Sequence, residues 1–159
     1  MTKYNIEEKD SFTVLGVGTE LKSDYTDSLG IDKEKSEFWQ TISQDGTLEK
    51  LKAIATNDYI FAVNEAVNNK MMHYAGVMTK SSLPEAIRNI QFPEGEYIVV
   101  KGEASTAYEL FKKLTDLTFG EILYEVEGYA YFGGPNTAVV TGKKDSLFMG
   151  EMWIPVVKI

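Results

Sequence analysis

The chain passes twice through the same succession of apolar patterns: strand, helix, hairpin. Period-two alternation or short β-branched runs occur at Phe12–Val17, Tyr59–Val63, Met71–Met78, Tyr97–Lys101, Tyr129–Phe132, Thr137–Thr141 and Met149–Val156, the mark of strands. Two stretches carry the helical period instead. Lys33 to Ile54 puts Phe38 and Ile42 on one face and continues it with Leu48, Leu51 and Ile54 after a break at Gly46, with Asp32 as the expected N-cap. The second helix opens at the capping box Thr106-x-x-Glu109 and carries Leu110, Leu114 and Leu117 beside Tyr108 and Phe111, until Gly120 interrupts it. Asn68-Asn69 and Gly133-Gly134-Pro135-Asn136 are turn sequences, expected to close one hairpin in each pass.

The passes divide in Ser81–Gly95, which holds Pro84, Pro93 and Gly95. Two halves of like order, about 1–80 and 90–159, imply an internal duplication, although the residues are not visibly repeated. Neither half has enough apolar surface to cover both sheet faces and a helix. The expected fold is therefore one α+β domain over residues 1–159. It has duplicated β-α-β-β halves with pseudo-two-fold symmetry, an antiparallel sheet carrying two helices, and a groove near the axis, where pockets commonly form.

Composition narrows the function. At 159 residues without a cysteine, the chain has no disulfide framework, thiolate zinc site or cysteine nucleophile. It can still bury roughly two-thirds of its unfolded surface. Sixteen Lys and Arg against 24 Asp and Glu give a net charge of −8 with no basic cluster, so nucleic acid is not an expected partner. Met1 to Asp10 is polar, and no run approaches the ~20 apolar residues of a membrane span. The expectation is a cytoplasmic protein without membrane association. Nine Tyr, eight Phe, two Trp and six Met build a core first, but they also suit a cavity for flat organic molecules.

Four segments resemble one family in order and spacing. Glu151-Met152-Trp153-Ile154-Pro155-Val156 is similar to the terminal E-x-W-I-P-V strand of GyrI-like small-molecule-binding domains, the effector-binding domains also fused to AraC- and MerR-type activators. Phe92-Pro93-Glu94-Gly95-Glu96-Tyr97, with Val99 and Gly102, resembles their I-P-x-G-x-Y entry to the second half. Phe38-Trp39-Gln40 resembles the L-W-x-x-F helix, and His73 to Val77 the Y-x-G-V strand. The resemblance implies a duplicated β-α-β-β fold and a central aromatic cleft with an acidic residue beneath, taking hydrophobic and often cationic or polyaromatic ligands. The chain departs from the pattern at Pro135-Asn136-Thr137-Ala138-Val139-Val140. There many members carry P-x-F-E-x-Y, so both the Glu and the Tyr are missing. No helix-turn-helix is present in the sequence, and a stand-alone member is expected.

Glu151 and Trp153, two apart on a strand, share a face, and a carboxylate beside an indole suits a cation. The spacing alone favours an exposed Glu151 and a core Trp153; the resemblance reverses this and favours binding. Both are expected to line a concave pocket between the sheet and the two helices. Trp39 and Tyr108 occupy early turns of the two helices and either flank the groove or pack in the core. Tyr129 and Tyr131 share a strand face, fit for a pocket or for cross-strand packing. His73, the single histidine, has no carboxylate or cysteine at ligand spacing, so neither a metal nor a cofactor is expected. No G-x-S-x-G elbow exists, and Gly16-Val17-Gly18 is not a dinucleotide fingerprint.

The leading function is binding, by sensing or sequestration, of a lipophilic, cationic or aromatic small molecule at Glu151, Trp153, Trp39, Tyr108, Tyr129 and Tyr131. One alternative is a hydrolase of reactive electrophiles with Glu151 as general base. Another is a protein-interaction module such as a gyrase inhibitor, for which no concentrated acidic run argues.

Overall fold

The structure is a computed structural model that describes residues 4–24, 26–84, 86 and 88–159. Residues 1–3 of the polar N-terminal segment, residue 25, and residues 85 and 87 of the link between the halves lie outside it. Among the described residues nine antiparallel strands form one sheet: β1 (Asn5–Lys9), β2 (Phe12–Leu21), β3 (Ile60–Val67), β4 (Lys70–Val77), β5 (Arg88–Phe92), β6 (Gly95–Ala104), β7 (Tyr129–Tyr131), β8 (Asn136–Lys144) and β9 (Leu147–Lys158). The order is β1-β6-β9-β8-β3-β4-β2-β5, with β7 added on β9. The helices are α1 (Ser28–Gln44), α2 (Thr47–Ile54) and α3 (Ala107–Leu117). No helix among the described residues is long and apolar enough to cross a membrane.

Read from its centre, that order is symmetric. β8 mirrors β3, β9 mirrors β4 and β6 mirrors β2, so the expected duplication is present. The seam between the halves is the β3–β8 pair, in register Ile60↔Val140, Ala62↔Ala138 and Asn64↔Asn136. The pseudo-two-fold axis therefore passes through the Ala62–Ala138 pair.

The outermost strands are exchanged. β1 precedes β2 but pairs with β6, while β5 precedes β6 but pairs with β2. Only residues 10–11 join β1 to β2, and only residues 93–94 join β5 to β6. Each link crosses six strand spacings, roughly 29 Å on a flat sheet, in three Cα steps worth at most about 11 Å. A flat sheet cannot satisfy both, so the sheet curls into a half-barrel. Rings from distant strands meet on its inner face: Phe12 stacks on Phe92 at 4.5 Å and meets Trp153 edge-on at 5.6 Å. Val14, Phe61, Tyr74, Tyr97 and Trp153 form this inner core. The helices cover the other face through a second core that includes Ile42, Leu51, Leu110 and Leu114 against Ala75, Val100, Met152 and Ile154.

Two sequence expectations need correction. α1 begins five residues earlier than Lys33, because the Asp27 side chain, not Asp32, accepts from the Gly30 N–H. The break expected at Gly46 is present and divides the first helix in two, with Gly46 at φ +89°; the C-terminal end of α3 runs through a π-helical turn at Thr118–Ile122 into one last α-turn. The turn Gly133–Asn136 closes no hairpin, since β7 pairs with β9. The second-half hairpin turns instead at Asp145-Ser146, with φ of 51° and 70°. This is the same left-handed pair that Asn68-Asn69 uses (51° and 64°) in the first half.

α3 sits close to its half of the sheet because Gly150 has no side chain. A Cβ there would run into the Val139 carbonyl oxygen of β8 and stand 2.9 Å from Leu110 Cδ2 of α3. Gly150→Ala is expected to destabilise the protein by about 1–3 kcal/mol in urea unfolding. Gly120→Ala, where nothing lies within 4 Å, should cause no such loss. Equal midpoints for the two variants would refute this account of α3 packing.

Candidate functional site

The curl bends the sheet away from its helix-bearing face, so α1 and α3, seated on opposite halves, leave a cleft over the seam. Trp39 from α1 and Phe111 from α3 meet across it, ring centroids 4.9 Å apart. Trp39 and Tyr108 border a cavity on each side. One, of about 430 Å³, lies between the start of α1 and the end of α3, among Asp32, Lys35, Asn64, His73, Lys112 and Asp116. The other, of about 370 Å³, has Leu48, Ile60, Ala107, Val140 and Phe148 along one side and Ser36, Gln40, Ser43 and Lys52 from α1 and α2 along the other. These lobes are pseudo-symmetry mates whose sheet floors differ. Asn64 opposite His73 in the first half corresponds to Val140 opposite Gly150 in the second.

Trp39, His73 and Asn64 at the polar lobe's floor begin a directional hydrogen-bond chain that continues beyond it. The Trp39 indole N–H donates to His73 Nε2 at 2.9 Å. An indole only donates, so Nε2 must accept, and neutral His73 carries its proton on Nδ1. That N–H faces Asn64 Oδ1 at 2.8 Å. The Asn64 amide donates to Asn136 Oδ1 at 3.0 Å, the Asn136 amide to the Tyr131 hydroxyl at 3.0 Å, and that hydroxyl to the Gly134 carbonyl. The chain runs from α1 through β4, β3 and β8 to β7, stitching the halves across the seam. No buried side-chain polar atom among the described residues lacks a partner. Burial, and then the charge of Lys35, hold His73 well below its usual pKa of 6.5.

Above this floor, Tyr108 donates to the Asp32 carbonyl at 3.1 Å, tying α3 to α1, and burial pushes its phenol up to about 12. Lys112 Nζ lies 2.8 Å from Asp116 Oδ2 and 3.2 Å from Asp32 Oδ2. Among the described residues no group of three or more His, Asp or Glu is placed to hold a metal ion.

Of the residues singled out in the sequence, Trp39 and Tyr108 border the cleft. Glu151 and Trp153 do share a face, but it is the inner one, away from the helices, so they do not line the space between sheet and helices. Met152 and Ile154 point to the helices instead. Trp153 packs among Phe12, Tyr59 and Phe61. Its indole N–H donates to Glu151 Oε1 at 2.8 Å, and Lys9 Nζ lies 4.0 Å from its ring centroid. A cation of the chain itself thus covers that ring. Tyr129 donates to Glu96 Oε2 at 3.0 Å and pins β7, while Tyr131 ends the floor's chain. Sequence reasoning missed Lys35, Asp32, Lys112 and Asp116, whose only signal was charge on helices, and Asn64 and Asn136, which pair only once the seam forms. Ala138, in the place of the family's Glu, is buried on the helix side of the seam.

A buried His73 with a lowered pKa binds more protons in the unfolded chain than in the folded one at acidic pH. Its contribution is complete above 6.5 and is lost as pH falls from 6.5 toward the folded value. Unfolding free energy should therefore drop by up to about 1.4 kcal/mol per pH unit between 6.5 and 5.5, above the range where the carboxylates titrate. His73→Gln should flatten that limb. A wild-type curve level over this range, or a variant of identical slope, would contradict the assignment.

Comparison with known proteins places this chain in a family. Residues 5–156 match the family model Cass2, integron-associated effector binding protein. No curated protein sequence matches the chain. Among solved structures, SAV2435 bound to tetraphenylphosphonium superposes with a TM-score of 0.76 at 17% identity, covering 98% of this chain and 94% of that one. A Staphylococcus aureus MU50 protein assigned to bacterial transcription regulation gives 0.72 at 16% identity, covering 98% and 99%. An integron cassette protein from the mobile metagenome of Vibrio cholerae gives 0.55 at 13% identity, covering 98% and 96%. At these identities the structures share the fold; the family model covers nearly the whole chain. This chain therefore belongs to the Cass2 family of integron-associated effector-binding proteins and has a GyrI-like effector-binding fold.

Proposed function

We propose that the protein binds a lipophilic, ring-bearing small molecule in the cleft between α1 and α3, as a sensor or a sequestering protein. The observation that carries this is the shared aromatic wall of Trp39 and Tyr108, backed by Phe111, between two cavities of about 430 and 370 Å³. Each is within the size range of small-molecule pockets, and together they offer flat apolar area with a few fixed polar groups. The ligand in the SAV2435 structure, tetraphenylphosphonium, is itself built of rings, which supports the same class here. Two adjoining lobes with different polar groups suit more than one ligand, so a multidrug-type role in the cytoplasm goes with this reading. Trp39 and Tyr108 are its contact residues. Glu151, Trp153, Tyr129 and Tyr131 stand apart from the cleft. The hydrolase alternative relied on Glu151, whose carboxylate accepts the Trp153 indole on the inner face.

Calorimetric titration of tetraphenylphosphonium and of the neutral 2-naphthamide tests this. At least one should bind, and Trp39→Ala should weaken it by about tenfold or more, as for a buried aromatic anchor. Tyr108→Ala, a milder change to the core, should act in the same direction. Binding of neither compound at millimolar concentration, or affinities indifferent to both substitutions in folded protein, would overturn the proposal.

A further inference from the structure

The charges around the polar lobe are unevenly committed. Lys112 bridges Asp32 and Asp116, so three of the four charged side chains there are tied together. The fourth is Lys35, partly buried on α1. No carboxylate among the described residues stands at ion-pair distance from its ammonium, which feels Asp32 and Asp116 only at longer range.

The neutral groups are committed as well. Both His73 nitrogens and the Trp39 N–H are engaged, Thr115 donates to the Phe111 carbonyl at 2.7 Å, and Tyr108 donates to Asp32. The largest uncommitted capacity in the lobe is therefore the Lys35 ammonium, three donors and no acceptor. Beneath the cleft, where the family pattern has a Glu, Ala138 offers no charge.

Resting on the reading that the cleft binds a ring-bearing small molecule, we propose that its ligand is an aromatic organic acid. Its anionic group pairs with Lys35 and its ring lies against Trp39 and Tyr108. A cationic ligand would find both carboxylates already bridged by Lys112 and would add positive charge beside Lys35. The net charge of −8 opposes an anion only from afar, because salt screens beyond about 8–10 Å, whereas a partly buried partner at contact is screened much less. Burial also lowers the Lys35 pKa, an effect that Asp32 and Asp116 offset only in part, so a bound anion relieves a standing desolvation cost.

The test is calorimetry at pH 7.5 with three matched probes: 2-naphthoate, 2-naphthamide and 2-naphthylmethylammonium. The anion should bind about tenfold or more tighter than the amide, as for a hydrogen bond to a charged group, and the ammonium compound weakest. Lys35→Met should remove the anion's advantage while leaving the amide within about twofold, and Lys35→Arg should keep it. Melting curves of both variants confirm that they fold; Lys35→Gln replaces Met if that variant does not. An ammonium probe that equals or exceeds the carboxylate, or a Lys35 variant that loses anion and amide alike, overturns the charge assignment and leaves the cleft reading intact. Failure of all three probes overturns this proposal, and if tetraphenylphosphonium also fails to bind the cleft reading falls with it.

Discussion

Two links of two residues each set the shape of this molecule. By sending β1 to the far half and β5 to the near one, they demand that strands six places apart in the sheet meet at one end. The curl that satisfies them does two things. It closes the inner face on a core of aromatic rings, in which Phe12, Phe92 and Trp153 touch although their strands are distant in the sheet. It also bends the outer face away from α1 and α3, so helices that would lie side by side on a flat sheet stand apart. The cleft is a by-product of chain connectivity before any ligand-binding residue is considered.

Within that frame the duplicated halves have diverged. Where the second half has Gly150, α3 settles onto the sheet through Leu110. Where the first half has His73, the corresponding space holds an imidazole bonded to Trp39. Asn64 in the first half is answered by Val140 in the second. The sheet floor of one lobe is therefore polar and hydrogen-bonded through to β7, and that of the other is aliphatic. A ligand spanning both would place its polar end and its rings by this difference alone, without the floor carboxylate that the family pattern supplies.

Much of the fold was legible in the sequence because local chemistry marks it. Thr106 caps α3 as its capping box predicts, Gly46 breaks the first helix, and Asn68-Asn69 turns a hairpin. The exchanged strands were not legible. β1 (Asn-Ile-Glu-Glu-Lys) looks like a polar terminus because it lies at an edge, and β5 hides in a segment bounded by prolines. The site was half legible. Period two correctly put Glu151 and Trp153 on one face, but β9 is buried on both faces, so its sequence lacks the polar side that would say which face meets the helices. Lys35 and Asp32 lie on a helix rich in charge, where a side chain lining a cleft looks no different from one in solvent until α3 is in place.

The central claim is that ligand enters between α1 and α3 and not the aromatic inner face. The two tryptophans lie on opposite faces of the sheet, so their indole N–H signals in a ¹⁵N–¹H correlation spectrum report on the two faces separately. On titration with 2-naphthamide the account predicts a progressive, saturable shift of the Trp39 indole, with the Trp153 indole unmoved beside Glu151. Movement of the Trp153 signal with Trp39 unchanged would contradict it.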